Sequence, residues 1–266
     1  MSDFRVSLLV AGAVLFAMIP CLCEGAPEKL SVKVVSVEQT AISALKKISA
    51  EKGNVPLKGK TVPPELKAGI AARFYGEIGA YPRFFRVEKN PKNHAALLVR
   101  IYYSDLHSKD VFKTNDFGQK IIERIYSLSL NLTVENSKNE VLLCRNLDFE
   151  YSLKKEKTTL FPSDEVIFRK MMISCLHRAA RLMADNFTVR YKITVTGPHG
   201  RKGFPVDEVK IFLDGDAVFN DSITQCVKGR HEVKILAPAG YVSKKLSVDL
   251  EKDSQTIIKL PVKKDN

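Results

Sequence analysis

Apolar and polar residues alternate most cleanly over Tyr126–Val134, where Leu128, Leu130, Leu132 and Val134 fall on one face and Ser127, Ser129, Asn131 and Thr133 on the other. A period of two predicts a half-buried strand. After the turn residues Asn136-Ser137-Lys138-Asn139 the chain returns over Val141–Tyr151 with Leu143, Leu147, Phe149 and Tyr151 aligned, so the two runs read as a hairpin. A helical period governs Asp164–Phe187, where Phe168, Met172, Cys175, Leu176, Ala179, Leu182, Met183 and Phe187 form one apolar stripe. Ser163 stands at the N-cap position, and Asp164 and Glu165 suit the positive end of the helix dipole. A shorter helix is expected over Glu65–Ile78, with Leu66, Ile70, Phe74 and Ile78 at every fourth position, Pro64 at its start and Gly79 at its end.

Around these elements Leu30–Val37, Arg83–Glu88 and Ala95–Ser104 read as strands. Glu51–Pro64 reads as a loop from its Gly and Pro content, and polar, aperiodic Asp105–Gly118 as a surface loop. Helices at both ends of a four- or five-stranded, largely antiparallel sheet make an α+β domain, expected over residues 26–188.

Beyond it the pattern changes. Val209, Ile211 and Leu213 alternate up to Asp214-Gly215, a pair that tolerates positive φ and lets the chain reverse. Further reversals at Lys228-Gly229 and Pro238-Ala239-Gly240 bracket Val233 and Ile235, and the alternating Leu246, Val248 and Leu250 follow. Ile257, Ile258 and Leu260 close the run. Short strands with turn chemistry every ten residues or so predict a small all-β domain over residues 189–266, an antiparallel sheet or sandwich.

Phe212-Leu213-Asp214-Gly215, Gly229-Arg230-His231-Glu232-Val233, Gly240-Tyr241 and Lys259-Leu260 occur in an order that resembles the PEGA domain, a β-module of bacterial envelope and surface proteins. The likeness spans about Tyr191–Val262. It implies a PEGA-like sandwich in which Asp214, Gly215, Gly229, His231, Gly240 and Tyr241 are structural, and it implies an accessory or scaffold role rather than chemistry. Over Ser31–Phe187 the order of elements resembles envelope domains of the TolB amino-terminal type, whose relatives include the lipoproteins that activate penicillin-binding proteins.

The amino terminus adds a destination. Arg5, the apolar run Val6–Ile19, Pro20, and small residues at Cys23 and Gly25 describe a secretory signal peptide over residues 1–25, cut after Gly25. A lipoprotein signal is a weaker description, because Cys21 follows Pro20 and Cys23 follows Leu22. An uncleaved anchor would have to count Pro20 and Ser7 among its apolar residues. Export to the periplasm or cell surface is therefore expected, with no membrane span after Ala26.

Formal net charge is +12, and it rises by one when Asp3, Arg5 and Glu24 leave with the leader. Outside the cytoplasm that balance favours an acidic protein partner, acidic lipid headgroups or an anionic polymer over nucleic acid. Cys144, Cys175 and Cys226 remain after Ala26, an odd number without metal-site spacing; Cys144 and Cys175 could pair, or each could pack as a small hydrophobe.

Candidate chemistry is sparse. None of His94, His107, His177, His199 and His231 stands in a metal-protease spacing, and there is no nucleophile elbow. Asp214, Asp216 and Asp221 lack the register of a calcium loop. In the loop Gly197-Pro198-His199-Gly200-Arg201-Lys202-Gly203 no helix follows to complete a phosphate cradle, which leaves Arg201 and Lys202 as a point of anion contact. These residues predict a non-catalytic envelope protein without cofactor or metal. Its expected partner is an envelope protein or, as the alternative, an anionic or glycan cell-wall polymer bound directly.

Overall fold

The computed structural model describes residues 29–50, 62–90, 92–114, 116–118, 120–155, 160–197 and 208–263. The expected signal peptide, the pair Arg201-Lys202 and most of Glu51–Pro64 lie outside the described residues. The chain divides into two compact units, one of them Lys29–Thr188 and the other containing Val189–Asn266.

The first unit runs β1 (Leu30–Gln39), α1 (Ile42–Ala50), α2 (Pro64–Ile78), β2 (Phe85–Val87), β3 (Leu97–Tyr103), β4 (His107–Thr114), β5 (Lys120–Glu135), β6 (Val141–Lys155) and α3 (Asp164–Phe187). It is an α+β arrangement, but its sheet has six strands and is mixed. The order is β2-β1-β3-β5-β4, with β6 also on β5. β1 runs parallel to both β2 and β3, and the pairings among β3, β4, β5 and β6 are antiparallel. The expectation of four or five strands is corrected by the sixth, β4, and the largely antiparallel sheet has two parallel pairings at β1. A parallel neighbour needs a long return connection, and the helical segment between β1 and β2 supplies one.

Helices α2 and α3 cover one face of this sheet. Ile70, Phe74 and Ile78 from α2, and Met172, Cys175, Leu176 and Met183 from α3, share a core with Val99, Ile101, Leu128, Leu130 and Leu132. α1 lies on the opposite face. Its Leu45 packs with Tyr102 and Cys144, which alternate with the core residues Ile101, Tyr103 and Leu143 along their strands. Ser163 occupies the N-cap position of α3, but its side chain makes no capping hydrogen bond; only its carbonyl is engaged, accepting from the Ile167 N–H at 3.2 Å.

β4 corrects the loop expected over Asp105–Gly118. The strand is exposed along nearly its whole length, so it carries no apolar period. Its ladder to β5, from His107↔Ser127 to Thr114↔Lys120, defines it instead. β5 pairs β6 along almost its full length on one edge, while its other edge is shared, first half with β4 and second half with β3. The first half of β5, β4 and the end of β6 therefore form a three-stranded arm that continues past Tyr126, the first fully buried apolar residue of β5 on the core face.

The second unit holds β7 (Thr188–Thr196), β8 (Lys210–Leu213), β9 (Asp216–Val218), β10 (Ile223–Val227), β11 (Gly229–Leu236), β12 (Lys244–Leu250) and β13 (Ser254–Lys259). A three-stranded sheet, β10-β7-β13, and a four-stranded one, β12-β11-β8-β9, share one core. Tyr191, Ile193 and Val195 enter it from the first sheet, and Ile211, Leu213, Val233 and Ile235 from the second. β13 runs parallel to β7, which an antiparallel sheet alone does not provide for.

Candidate functional site

Of the described residues picked out in the second unit, Asp214 and His231 meet through their side chains. Asp214 (φ +51) and Gly215 (φ +89) are the two central residues of the β8–β9 hairpin, whose closing pair is Leu213↔Asp216. Two successive positive φ values give the turn the twist its strands require, which explains an Asp-Gly pair at this place. The Asp214 N–H donates to the Glu232 carbonyl, and its Oδ1 accepts from the Glu232 N–H, both at 2.8 Å, tying the turn to β11.

His231 is 7% exposed. Its Nδ1 lies 2.5 Å from Asp214 Oδ2 and its Nε2 2.6 Å from the Val227 carbonyl oxygen. A carbonyl has no proton to give, so Nε2 carries one and donates it. Nδ1 faces the Asp214 carboxyl, so a ring protonated at both nitrogens satisfies both contacts. The Asp214 carboxylate chiefly, helped by the Val227 carbonyl and opposed by burial, raises the His231 pKa above its ordinary value. Both ring nitrogens are committed, so the imidazole has no free lone pair; the geometry of the pair is that of a clamp between β8 and β11.

Beside this clamp lies an open depression of 370 Å³ lined by Arg230, Glu232, Lys245 and Ser247 together with Asp214 and His231. Arg230 Nε donates to Ser247 Oγ at 2.8 Å, and Lys245 pairs with Glu232 at 2.8 Å. Gly229 (φ +127) starts β11 opposite Leu250. Gly240 (φ +82) and Tyr241 hold the carboxy-terminal tail: Tyr241 bridges Val262, and the Lys263 N–H donates to the Gly240 carbonyl at 2.9 Å. The PEGA-pattern residues thus fall into a clamp, a strand start and a tail clasp. No group of three or more His, Cys, Asp or Glu side chains placed to hold a metal occurs among the described residues.

Sequence reasoning missed the arm of the first unit. On the face that continues the core, Arg124 Nε and Nη2 grip Asp110 at 2.6 and 2.8 Å, and the Arg124 guanidinium sits 4.3 Å from the Phe161 ring centroid. Lys155 Nζ lies 4.4 Å from the same ring and makes no hydrogen bond to any described residue. Desolvation, then the neighbouring Arg124 charge, lowers its pKa. Asp110 lies on β4 directly across the ladder from Arg124, a relation that no pattern in the sequence signals.

No protein-family model matches the chain, and a search of curated proteins finds no match. Solved structures similar to it include a neuraminyllactose-binding hemagglutinin homolog from Helicobacter pylori, with 14% identity, 60% of this chain and 83% of that one covered, and a TM-score of 0.39. Rare lipoprotein B from Shewanella oneidensis gives 11% identity, coverage of 56% and 94%, and a TM-score of 0.31. A minor lipoprotein from Acinetobacter baumannii gives 10%, coverage of 57% and 87%, and a TM-score of 0.28. At scores this low the likeness fixes neither fold nor function.

Proposed function

We propose that the chain is an exported, non-catalytic bacterial envelope protein that acts as an interaction or accessory factor for cell-wall or outer-membrane machinery. The observation that carries this reading is the arm: a strand exposed nearly throughout, held out by ladder hydrogen bonds and the Asp110–Arg124 pair rather than by burial. Such a projection contributes little to its own unit and offers surface to another molecule. The leader-like amino terminus and the basic balance of the chain support the same reading. In the second unit, the clamp and turns that match the PEGA pattern act as structure, as an accessory module requires.

The test is expression of the whole chain in a bacterium, with fractionation, the mass of the mature protein, and photo-crosslinking from exposed arm positions. Periplasmic or surface recovery of a chain beginning at Ala26, with a discrete crosslinked partner, is expected; cytoplasmic recovery of the intact chain sinks the proposal.

The second reading, direct binding of an anionic or glycan polymer, is favoured by Arg230 and Ser247 in the depression on the second unit, where Lys245 is held by Glu232. Co-sedimentation with purified sacculi separates the two. Pelleting that survives high salt and is lost with Arg230→Glu supports the polymer reading, whereas no pelleting leaves the protein partner.

A further inference from the structure

The tip of the arm carries large apolar side chains where a water-facing hairpin has no use for them. Phe112 on β4 is 78% exposed, Phe117 in the β4–β5 turn 88%, and Leu160 on the segment returning from β6 96%. All three lie at one end of the arm. Phe112 is paired with Ile122, and Ile122 with Lys155, whose ammonium sits over the Phe161 ring next to Leu160. Lys109 is exposed further along β4 and Lys120 at the start of β5, while Lys113 is held by Glu123 and Asp116 stands beside Phe117.

Lysines on an edge strand keep it from pairing with other strands. That accounts for Lys109 and Lys113, but not for three bulky apolar groups at the same tip. Aromatic and aliphatic tips flanked by lysines are the composition of a surface that enters the headgroup region of a bilayer, where apolar groups reach the acyl boundary and ammonium groups stay with phosphates. Buried apolar area and attraction to anionic lipid add in such a contact.

We infer that the arm tip docks onto an anionic lipid surface, with Phe112, Phe117 and Leu160 inserted and Lys109 and Lys120 against lipid phosphates. The brace beneath the tip suits this task. Arg124, gripped by Asp110 and stacked with Phe161, fixes the end of β6 and the returning segment against β4 and β5, so the inserted groups need little ordering on contact. The inference goes beyond the envelope reading and does not require it, since any anionic bilayer would serve.

The experiment is co-sedimentation of the full chain with phosphatidylcholine vesicles, with and without phosphatidylglycerol. A second preparation beginning at Ala26 removes the amino-terminal apolar run as a competing binder. Binding to the phosphatidylglycerol vesicles in both preparations is expected, with about fivefold loss for each of Lys109→Gln and Lys120→Gln. Phe112→Ser combined with Phe117→Ser should abolish it. These positions are exposed, and an unchanged circular-dichroism melt confirms that the variants fold. Ile223→Ser combined with Ile257→Ser, exposed apolar positions of the second unit, should bind like wild type. Three results overturn the inference: no vesicle binding by the Ala26 chain, equal binding to neutral vesicles, or loss only in the Ile223/Ile257 variant. Pelleting on sacculi without vesicle binding overturns it while leaving the proposed function intact.

Discussion

His231 sets both ring nitrogens against oxygens, Nδ1 2.5 Å from Asp214 Oδ2 and Nε2 2.6 Å from the Val227 carbonyl oxygen, in a site that leaves it 7% exposed. The folded pKa is raised, so the clamp contributes its full stability below the unfolded value of about 6.5 and loses it as pH climbs through the higher folded value. Denaturant unfolding followed between about pH 5 and pH 9 should show stability falling with rising pH, and imidazole NMR should place the transition. Asp214→Asn keeps a side chain that tolerates positive φ but removes the charge, and should flatten that dependence. His231→Phe leaves Asp214 without its cation and should cost roughly 3 kcal/mol. A pH-independent unfolding midpoint in the wild type would refute the doubly protonated ring.

The buried polar ladder under α1 makes a second case. Asn131 is fully buried, donates to Asn146 Oδ1 at 2.7 Å and accepts from Thr133 Oγ1 at 2.8 Å, while Asn146 donates to the Leu45 carbonyl at 3.1 Å. Asn131→Ala strands those partners and should cost about 1–3 kcal/mol in urea unfolding. Ser129→Ala on the same strand face, at an exposed contact with Asp148, should change stability by less than about 0.5 kcal/mol.

The three cysteines after Ala26 should be inert as folded. Burial pushes the Cys175 thiol up to about 12 and the Cys226 thiol up to about 11. Cys144 packs with Leu45 on the α1 side and Cys175 in the core on the α3 side, so the sheet separates the pair that the sequence left open. A chromogenic disulfide at about pH 8 should react with all three only after denaturant is added. A Cys144–Cys175 peptide in a non-reducing digest would contradict the arrangement.

Two glycines should respond oppositely to alanine. Gly69 is exposed on α2 with open space where a Cβ would stand, so Gly69→Ala should stabilise by about 0.5–1 kcal/mol through helix propensity. Gly229 also has room, but its φ of +127° is one that side-chain-bearing residues rarely adopt, and Gly229→Ala should cost about 1–3 kcal/mol. Thermal melts of both variants check the contrast.

What the sequence made legible was what burial writes into it. The β5–β6 hairpin, α2 and α3 each bury one face, and each carries the matching period. β4 is almost fully exposed and left no period, so it passed for a loop. α1 was missed because Leu45 is its one fully buried apolar side chain among those described. β7 is different: Val189, Tyr191, Ile193 and Val195 alternate as clearly as β5 and were open to the same reasoning. Of the candidate site, the turn residues Asp214, Gly215, Gly229 and Gly240 could be read because positive φ restricts residue type. The contact between Asp214 and His231 could not, since it depends on β8 lying beside β11. The arm cluster depends in the same way on rungs that only pairing defines.

The handing of one β5 edge from β4 to β3 has a mechanical consequence. β5 is one unbroken strand of 16 residues, roughly 50 Å at ordinary rise, spliced along its other edge to β6. A load applied to the far end of the arm along that strand meets the β5–β6 ladder in shear, where many rungs resist together, and reaches α2 and α3 as a pull on the core face. The strand works as a tie rod, anchored by burial at one end and exposed at the other.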